Sequence, residues 1–159
     1  MNAVIGPSGC GKTVLMKAML GLLPVDAGGE VWLGEERITC AEELIGRVGF
    51  APQFSIAPPK LTVEECLRYA LEITVADATV RASRLEQVLG LVGLAPHRAT
   101  MIESLSGGQL RRLGLGLELL VDPPWLICDE VTTGLDPNSE GAILDILREQ
   151  CRERGKTLL

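Results

Sequence analysis

The feature that most constrains the fold is a glycine-rich string near the amino terminus, where residues 6–13 read GPSGCGKT. The string follows a short apolar run, residues 3–5, and precedes a stretch that is compatible with a helix. This is the strand–loop–helix context in which the pattern G-x-x-x-x-G-K-[S/T] binds phosphate. An ordinary glycine-rich turn with a solvated Lys12 is the alternative, but the complete pattern in this context favours a phosphate-binding loop.

The residue types in this loop explain how it would hold an anion. Gly6, Gly9 and Gly11 lack a Cβ atom, so the backbone can turn consecutive N–H groups towards phosphate oxygens. The helix that begins near Lys12 adds the positive end of its dipole. We expect Lys12 to reach the outer phosphates and the Thr13 hydroxyl to ligate Mg²⁺.

Composition predicts one globular domain and makes nucleic acid a weak candidate as a partner, although acidity alone does not exclude it. The chain has 159 residues, of which 47% are hydrophobic, and a net charge of -6, so it has no excess of basic residues for a phosphate backbone. The five cysteines have neither C-x-x-C spacing nor a histidine cluster, which argues against zinc and disulfides and favours the cytoplasm. No apolar stretch reaches the ~20 residues of a membrane-spanning helix, so we expect any membrane contact to be made through a partner.

Apolar periodicity and turn signals predict an α/β fold with a mostly parallel sheet. Strands are predicted over residues 2–5, 30–33, 47–51 and 125–128, and helices over residues 12–22, 63–73 and 78–92. The first helix is expected to end at Pro24 and residues 28–29, and Thr62 with Glu65 forms a capping-box pattern. Helices dominate residues 62–121, so we expect a helical subdomain at 59–121 inserted in an α/β core of residues 1–58 and 122–159.

A second glycine-rich string, LSGGQ at residues 105–109, begins a helix. Ser106 and Gln109 stand as S-x-x-Q before an apolar-periodic segment, which is typical of a capped helix start. Capping alone does not require Gly107 and Gly108, each of which weakens a helix by roughly 1 kcal/mol relative to alanine. We therefore expect another group to approach the backbone there, and a helix N-terminus with a serine hydroxyl is a natural second phosphate site.

A third string, WLICDE at residues 125–130, is an apolar run that ends in two carboxylates. It predicts a central parallel strand that delivers Asp129 and Glu130 at its carboxyl end, where open α/β sheets bind their ligands. We expect Asp129 to hold Mg²⁺ and Glu130 to polarise an attacking water. The alternative is a solvated turn with two exposed acids.

Together these strings resemble the motifs of the ATP-binding-cassette (ABC) ATPases over essentially the whole chain. GPSGCGKT resembles the Walker A loop, LSGGQ the signature motif and LICDE the Walker B strand with its catalytic glutamate. Gln53 in VGFAPQ resembles the Q-loop glutamine, and Asp136 in TTGLDP resembles the D-loop aspartate. The resemblance implies a P-loop NTPase core whose inserted helical subdomain carries the signature motif.

The resemblance also implies ATP and Mg²⁺ as ligands. The residues implied to bind nucleotide are Gly6, Pro7, Ser8, Gly9, Cys10, Gly11, Lys12, Thr13, Ser106, Gly107, Gly108, Gln109 and Asp136. The implied catalytic residues are Glu130 and Gln53, and the implied metal ligands are Thr13, Gln53 and Asp129.

The partners implied by the resemblance are a second ABC ATPase subunit, identical or different, and a transmembrane transporter domain. ATP on the Lys12 loop of one subunit would be covered by Ser106 and Gly108 of the other in a head-to-tail dimer. Closure, hydrolysis and reopening would then drive the membrane domain, which places the chain at the cytoplasmic face of the membrane.

Some of these residues have a second interpretation. Without the flanking motifs, Gln53 would be an ordinary loop residue. Asp136 is also expected to cap a helix that starts at Pro137, and both roles can coexist. Cys10 is either a reactive thiol or a small residue that the loop tolerates.

The resemblance is incomplete at both ends of the sequence. The family carries an adenine-stacking aromatic residue upstream of Walker A, and a switch histidine beyond the strand expected near Lys156. The single histidine, His97, precedes the signature motif and is interpreted as a polar surface residue. We therefore expect a cassette cut at both ends, with exposed sheet edges.

Three functions stay open: the ATPase of an ABC transporter, a soluble ABC ATPase of DNA repair or translation, and a nucleotide-binding module with little turnover. The interval between Thr13 and Leu105 is compact and lacks the long heptad pattern of the coiled-coil insertion in repair members, so transport is favoured. The presence of Glu130 favours hydrolysis over binding alone.

Overall fold

A computed structural model describes residues 2–23, 29–53 and 57–159 of the chain. Their secondary structure runs α1 (Lys12–Met19), β1 (Val31–Leu33), β2 (Glu36–Ile38), β3 (Val48–Ala51), α2 (Val63–Thr74), α3 (Ala78–Leu91), α4 (Gly107–Leu119), β4 (Trp125–Cys128), α5 (Pro137–Arg152) and β5 (Thr157–Leu158). Short 3₁₀ helices lie at Ala41–Leu44, Ala95–His97 and Ile102–Ser104. The predicted α/β class is confirmed.

The main sheet has three parallel strands in the spatial order β3, β4, β5. Ala51 at the end of β3 is opposite Cys128 at the end of β4. Because parallel strands end at the same edge of a sheet, the residues that follow β3 and β4 emerge side by side. This edge brings the segments that carry Gln53 and Asp129 together.

The outer edge of β3 is partly covered, although the sequence predicted exposed sheet edges. The carbonyls of Arg47 and Ala51 accept hydrogen bonds from the β4 side, so the intervening Phe50 points its N–H to the opposite edge. That N–H donates to the carboxylate of Glu118 on α4 at 3.0 Å. A helix side chain therefore replaces a neighbouring strand at this position.

The predicted buried strand over residues 2–5 is wrong. The N–H of Asn2 donates to the carbonyl of Leu158 at 2.8 Å, but residues 2–5 are exposed and form no strand, and Ile5 is 93% exposed. Apolar branched residues favour a strand only where a neighbouring strand pairs with them, and β5 contributes only two residues.

A two-stranded antiparallel hairpin, β1 and β2, was only half predicted. Leu33 pairs with Glu36, so the two residues between them form the turn, and Gly34 has the positive φ of 68° that such a turn requires. The sequence predicted the first of these strands. The three residues of β2 carry too short an alternation to predict a strand.

Helix boundaries follow their caps. The predicted capping box of α2 is confirmed, since Thr62 Oγ1 accepts the N–H of Glu65 at 3.2 Å and Glu65 Oε2 accepts the N–H of Thr62 at 2.9 Å. Helix α1 ends three residues earlier than predicted because Gly21 turns the chain with a φ of 67°. The predicted stop signals Pro24 and Gly28 lie outside the described residues.

The core packs helices against the parallel sheet. The largest cluster of buried side chains includes Leu67, Leu89, Leu113, Leu126 and Ile143, from α2, α3, α4, β4 and α5 respectively. The proposed division into an α/β core and a helical subdomain stays a prediction. Within the described ranges, no helix combines the length and the apolar character that a bilayer crossing demands.

Candidate functional site

The glycine-rich loop leads directly into α1, and two of its glycines adopt backbone conformations with positive φ. Gly9 and Gly11 have φ values of 79° and 96°, in the region that side chains disfavour. A Cβ atom added at Gly6 would lie 2.6 Å from the Sγ atom of Cys10, so the thiol of Cys10 would have to move to admit it. Gly11 is the N-cap of α1, and residues 7–10 are exposed to solvent.

The side chain of Lys12 lies inside this loop. Its Nζ atom donates to the carbonyls of Gly6 at 3.0 Å and Pro7 at 3.2 Å, and it lies 3.4 Å from Oε1 of Glu130. The ammonium group is therefore positioned between the loop backbone and the carboxyl end of the central strand.

Thr13 and Asp129 join the first helix to the same strand end. The Thr13 hydroxyl donates to Oδ1 of Asp129 at 3.1 Å, and Asp129 is only 3% exposed. The N–H of Asp129 donates to the carbonyl of Ala51 at 2.9 Å, which ties its backbone to β3. A hydroxyl and a carboxylate oxygen thus lie side by side at the base of the loop.

Glu130 has an unusual backbone conformation for a residue with a side chain, with a φ of 49°. One of its carboxylate oxygens lies 3.5 Å from Nε2 of Gln53 and 3.5 Å from Oγ1 of Thr133. Sequence reasoning missed Thr133, which follows Glu130 by three residues in an irregular turn and carries no periodic signal. The carboxylate is thus placed between the ammonium group of Lys12 and these two polar side chains.

The second glycine-rich string forms the predicted capped start of α4. Ser106 Oγ accepts the N–H of Gln109 at 3.2 Å, and Gln109 Oε1 accepts the N–H of Ser106 at 2.9 Å. Ser106 and Gly107 are exposed, whereas Gly108 is buried. A Cβ atom built at Gly108 would lie 2.7 Å from Cβ of Ser139 on α5, while no described atom lies within 4 Å of one built at Gly107.

His97 is not the isolated surface residue that the sequence suggested. It is half-buried, and its Nε2 atom lies 3.0 Å from Nε2 of Gln109. The two residues belong to different elements, so no periodic pattern could have indicated this contact.

Asp136 caps α5, as predicted. Its Oδ1 atom accepts the N–H groups of Asn138 and Ser139, each at 3.1 Å. Hydrogen bonds from the hydroxyl and N–H of Ser139, followed by the N–H of Asn138, lower the pKa of Asp136. This carboxylate therefore stays ionised and favours the helix start.

The structure brings one group of the predicted site residues together and leaves another apart. The phosphate loop, Thr13, Gln53, Asp129 and Glu130 converge at the carboxyl edge of the parallel sheet. Among the described residues, no hydrogen bond or ion pair joins this group to residues 106–109 or to Asp136.

A phosphate loop at a helix N-terminus, facing carboxylates at the end of a parallel strand, defines a P-loop nucleotide-binding fold. The family model described as ABC transporter matches residues 1–133. The chain belongs to the ABC transporter family and is an ATPase domain of that family.

Curated relatives agree with this assignment. The ABC transporter ATP-binding/permease protein Rv1747 of Mycobacterium tuberculosis is 35% identical over 162 residues, which cover 100% of this chain and 19% of that protein. The methionine import ATP-binding protein MetN of Thermobifida fusca is 35% identical over 161 residues, which cover 98% of this chain and 50% of that protein. The chain thus spans half or less of the length of these relatives.

A solved structure is similar in fold. It is the dimeric structure of a post-hydrolysis state of the ATP-binding cassette MJ0796 bound to ADP and Pi. The TM-score is 0.80 at 26% sequence identity, and the match covers 96% of this chain and 69% of that chain.

Proposed function

We propose that this chain is the nucleotide-binding domain of an ABC transporter, which binds and hydrolyses ATP with Mg²⁺ and couples the closure of a head-to-tail dimer to transport. The observation that carries the proposal is a set of two close pairs at the carboxyl edge of the sheet. The Thr13 hydroxyl is hydrogen-bonded to Asp129, and the ammonium group of Lys12 lies at ion-pair distance from Glu130. A phosphate loop, a hydroxyl and two carboxylates are the groups that phosphoryl transfer requires.

The loop and Lys12 would bind the phosphates of ATP. Residues 7–10 are exposed, and the ammonium group of Lys12 lies against the carbonyls of Gly6 and Pro7 beside the positive end of α1. Lys12 can exchange its carbonyl partners for phosphate oxygens, which are stronger acceptors because they are charged.

The donor set of Thr13 and Asp129 fits Mg²⁺. Across the part of the chain that the structure describes, no three acidic, histidine or cysteine side chains cluster to hold a metal by themselves. Mg²⁺ typically takes one or two protein oxygens and completes its shell with phosphates and water, which is what this pair allows. Gln53 is the third predicted ligand. When bound, the ion neutralises charge that develops on the phosphate oxygens.

Glu130 would act as the general base. Its carboxylate is 39% exposed and can accept a proton from water, while Lys12 and Gln53 hold it from two sides. The amide of Gln53 would orient the same water. We assign these roles to Glu130 and Gln53 because both side chains lie at the carboxyl edge of the sheet and neither belongs to the hydrophobic core.

The second nucleotide-contacting surface would come from a partner copy. Ser106 and Gly107 lie exposed at the N-terminus of α4, and in the described part of the chain they make no hydrogen bond or ion pair with the Lys12 loop. A helix N-terminus attracts anions, so this turn is suited to the phosphates held by another subunit. The dimeric state of the similar solved structure supports this arrangement. Gly108 and Gln109 belong to the same turn, and Asp136 would lie at the same interface.

A transmembrane domain is the proposed second partner, and the cytoplasmic face of the membrane the proposed location. One relative is named as an ATP-binding/permease protein, and another as an import ATP-binding protein. Both names support this view. Nucleic acid is not part of the proposal.

The experiment compares Lys12→Ala and Glu130→Gln with the wild-type full chain, and with Lys17→Ala as a control on the same helix. Lys12→Ala should abolish the binding of fluorescent ATP, whereas Glu130→Gln should bind ATP but hydrolyse it at least about 10²-fold more slowly, as expected for the loss of a general base. Glu130→Gln should also form an ATP-dependent dimer on gel filtration. Unchanged ATP affinity in Lys12→Ala would overturn the proposal.

A further inference from the structure

The contact between His97 and Gln109 has a defined direction. Gln109 Oε1 accepts the N–H of Ser106 at 2.9 Å, and a backbone N–H can only donate, so the orientation of the Gln109 amide is fixed. Its NH₂ group therefore faces Nε2 of His97 at 3.0 Å. An amide nitrogen also only donates, so Nε2 of His97 is the acceptor and carries no proton.

His97 stands on a rigid support. The next residue, Arg98, binds Glu64 of α2 through two hydrogen bonds of 2.8 and 3.0 Å, and Glu86 of α3 at 2.9 Å. The carbonyl of His97 accepts the N–H of Thr100 at 2.9 Å. The backbone that carries His97 is thus joined through Arg98 to two helices that do not belong to the turn at residues 106–109, which we call the signature turn.

The reciprocal cap leaves particular groups of the signature turn available. The backbone N–H groups of Ser106 and Gln109 each donate to the side-chain oxygen of the other residue. Because Ser106 Oγ acts as an acceptor in this pair, its hydroxyl hydrogen is free to donate elsewhere. Gly107 remains exposed. The orientation of Gln109 decides this pattern, since a rotated amide would release the N–H of Ser106.

We propose that His97 is a positioning residue of the signature turn, whose ring accepts a hydrogen bond from Gln109 and thereby holds Ser106 ready for the nucleotide of a second subunit. The inference rests on the proposed function of that turn. His97 itself touches no nucleotide. It limits the rotation of Gln109, and so keeps the donors of the turn in one arrangement before the two subunits meet.

The test uses the full chain in a Glu130→Gln background, where ATP-dependent dimers accumulate. His97→Phe keeps the ring but removes the acceptor, and His97→Gln places an amide oxygen near the position of Nε2. His97→Phe should raise the protein concentration at half-dimerisation by roughly ten- to a hundred-fold, the equivalent of one lost hydrogen bond at each of the two signature turns of the dimer, and His97→Gln should restore most of it. ATP affinity of the monomer should not change, because the Lys12 loop is separate.

A double-mutant cycle isolates the contact. In a Gln109→Ala background, His97→Phe should have no further effect on dimerisation, because the partner of the ring is gone. An equal effect in both backgrounds, or no effect of His97→Phe alone while the Glu130→Gln reference dimerises, would overturn the inference and leave the proposed function intact. A reference that binds ATP but never dimerises would instead overturn the proposed function of the turn, and the inference with it.

Nitrogen NMR of the imidazole provides a measurement that does not depend on dimerisation. Nε2 of His97 should give the resonance of an unprotonated ring nitrogen coupled to the Gln109 amide, and Nδ1 that of a protonated one. A proton on Nε2 in the neutral ring would contradict the proposed direction of the hydrogen bond, and would therefore overturn the inference.

Discussion

The hydroxyl of Thr13 donates a hydrogen bond to Oδ1 of Asp129 at 3.1 Å, although 116 residues separate them in the chain. The contact joins the first turn of α1 to the end of β4. It places a hydroxyl and a buried carboxylate where the proposed Mg²⁺ would bind.

Thr13→Val should weaken the binding of Mg²⁺ during ATP hydrolysis. The change keeps the shape of the side chain but removes one proposed ligand and the donor to Asp129, so the Mg²⁺ concentration for half-maximal ATP hydrolysis should rise on the order of tenfold or more. The control is Thr74→Val, which removes an exposed hydroxyl bound to its own helix. An unchanged Mg²⁺ requirement in Thr13→Val would exclude Thr13 from the metal site.

Gly108→Ala should destabilise the fold, whereas Gly107→Ala should not. A Cβ at Gly108 would lie 2.7 Å from Cβ of Ser139, which forces α4 and α5 apart at a cost of about 1–3 kcal/mol in the free energy of unfolding. Gly107 has open space around its Cα, so alanine should be tolerated there. Urea unfolding measures both.

Removing the side chain of Ser139 should restore part of the stability that Gly108→Ala loses. Ser139→Gly opens the space that the new methyl group needs, so the double variant should be more stable than the sum of the single changes predicts. Simple additivity would show that the contact between Gly108 and Ser139 does not limit the packing.

Glu118→Gln should flatten the pH dependence of stability. Burial raises the pKa of Glu118, although the hydrogen bond from the N–H of Phe50 opposes the shift. The folded state therefore binds the proton more tightly than the unfolded state, so stability falls as pH rises from about the ordinary pKa of 4.5 to the higher folded pKa. The glutamine of the variant still offers an oxygen acceptor for the N–H of Phe50. Because it does not ionise, the variant does not lose stability in this pH range.

The measurement is urea unfolding of both proteins from pH 4 to pH 7, with the exposed Glu35→Gln as the control. The difference between Glu118→Gln and wild type should change in favour of the variant as pH rises, and the control shows how much of any trend comes from removing one acidic charge. Parallel curves for Glu118→Gln and wild type would contradict the assigned shift.

Cys10 should be protected from alkylation by ATP with Mg²⁺. Its side chain is exposed within the phosphate loop, and bound phosphates would cover it. Cys40 is the matched control, since it is also exposed but lies outside the loop. Mass spectrometry of the labelled chain should show protection at Cys10 alone, and equal labelling with and without nucleotide would place the ligand elsewhere.

Features that depend on neighbouring residues could be predicted from the sequence. The caps at Thr62 and Asp136 and the strand at Trp125–Cys128 are confirmed, because each follows from side chains a few positions apart or from one buried run. The strand over residues 2–5 and the length of α1 were wrong, since a pairing partner and the turn at Gly21 decided them.

The site divides in the same way. The strings GPSGCGKT and WLICDE predicted which residues form the glycine-rich loop and the strand end, and the structure places these two segments side by side, whereas LSGGQ makes no hydrogen bond or ion pair with them. The contacts of His97 with Gln109 and of Gly108 with Ser139 could not be predicted, because they depend on how separate elements approach. The glycine at 108 was expected to admit an approaching group, and within this chain that group is Ser139.

The place of β4 in the middle of the sheet has a consequence for biosynthesis. Its neighbour β3 ends at Ala51, but β4 begins only at Trp125, so the ribosome completes the loop, α1 and β3 long before it makes the strand that joins them to β5. Contacts between such distant segments form slowly. A nascent chain halted before residue 129 would carry the glycine-rich loop without its acidic partners, so the Mg²⁺-dependent part of nucleotide binding can stabilise this domain only after the end of β4 has been translated.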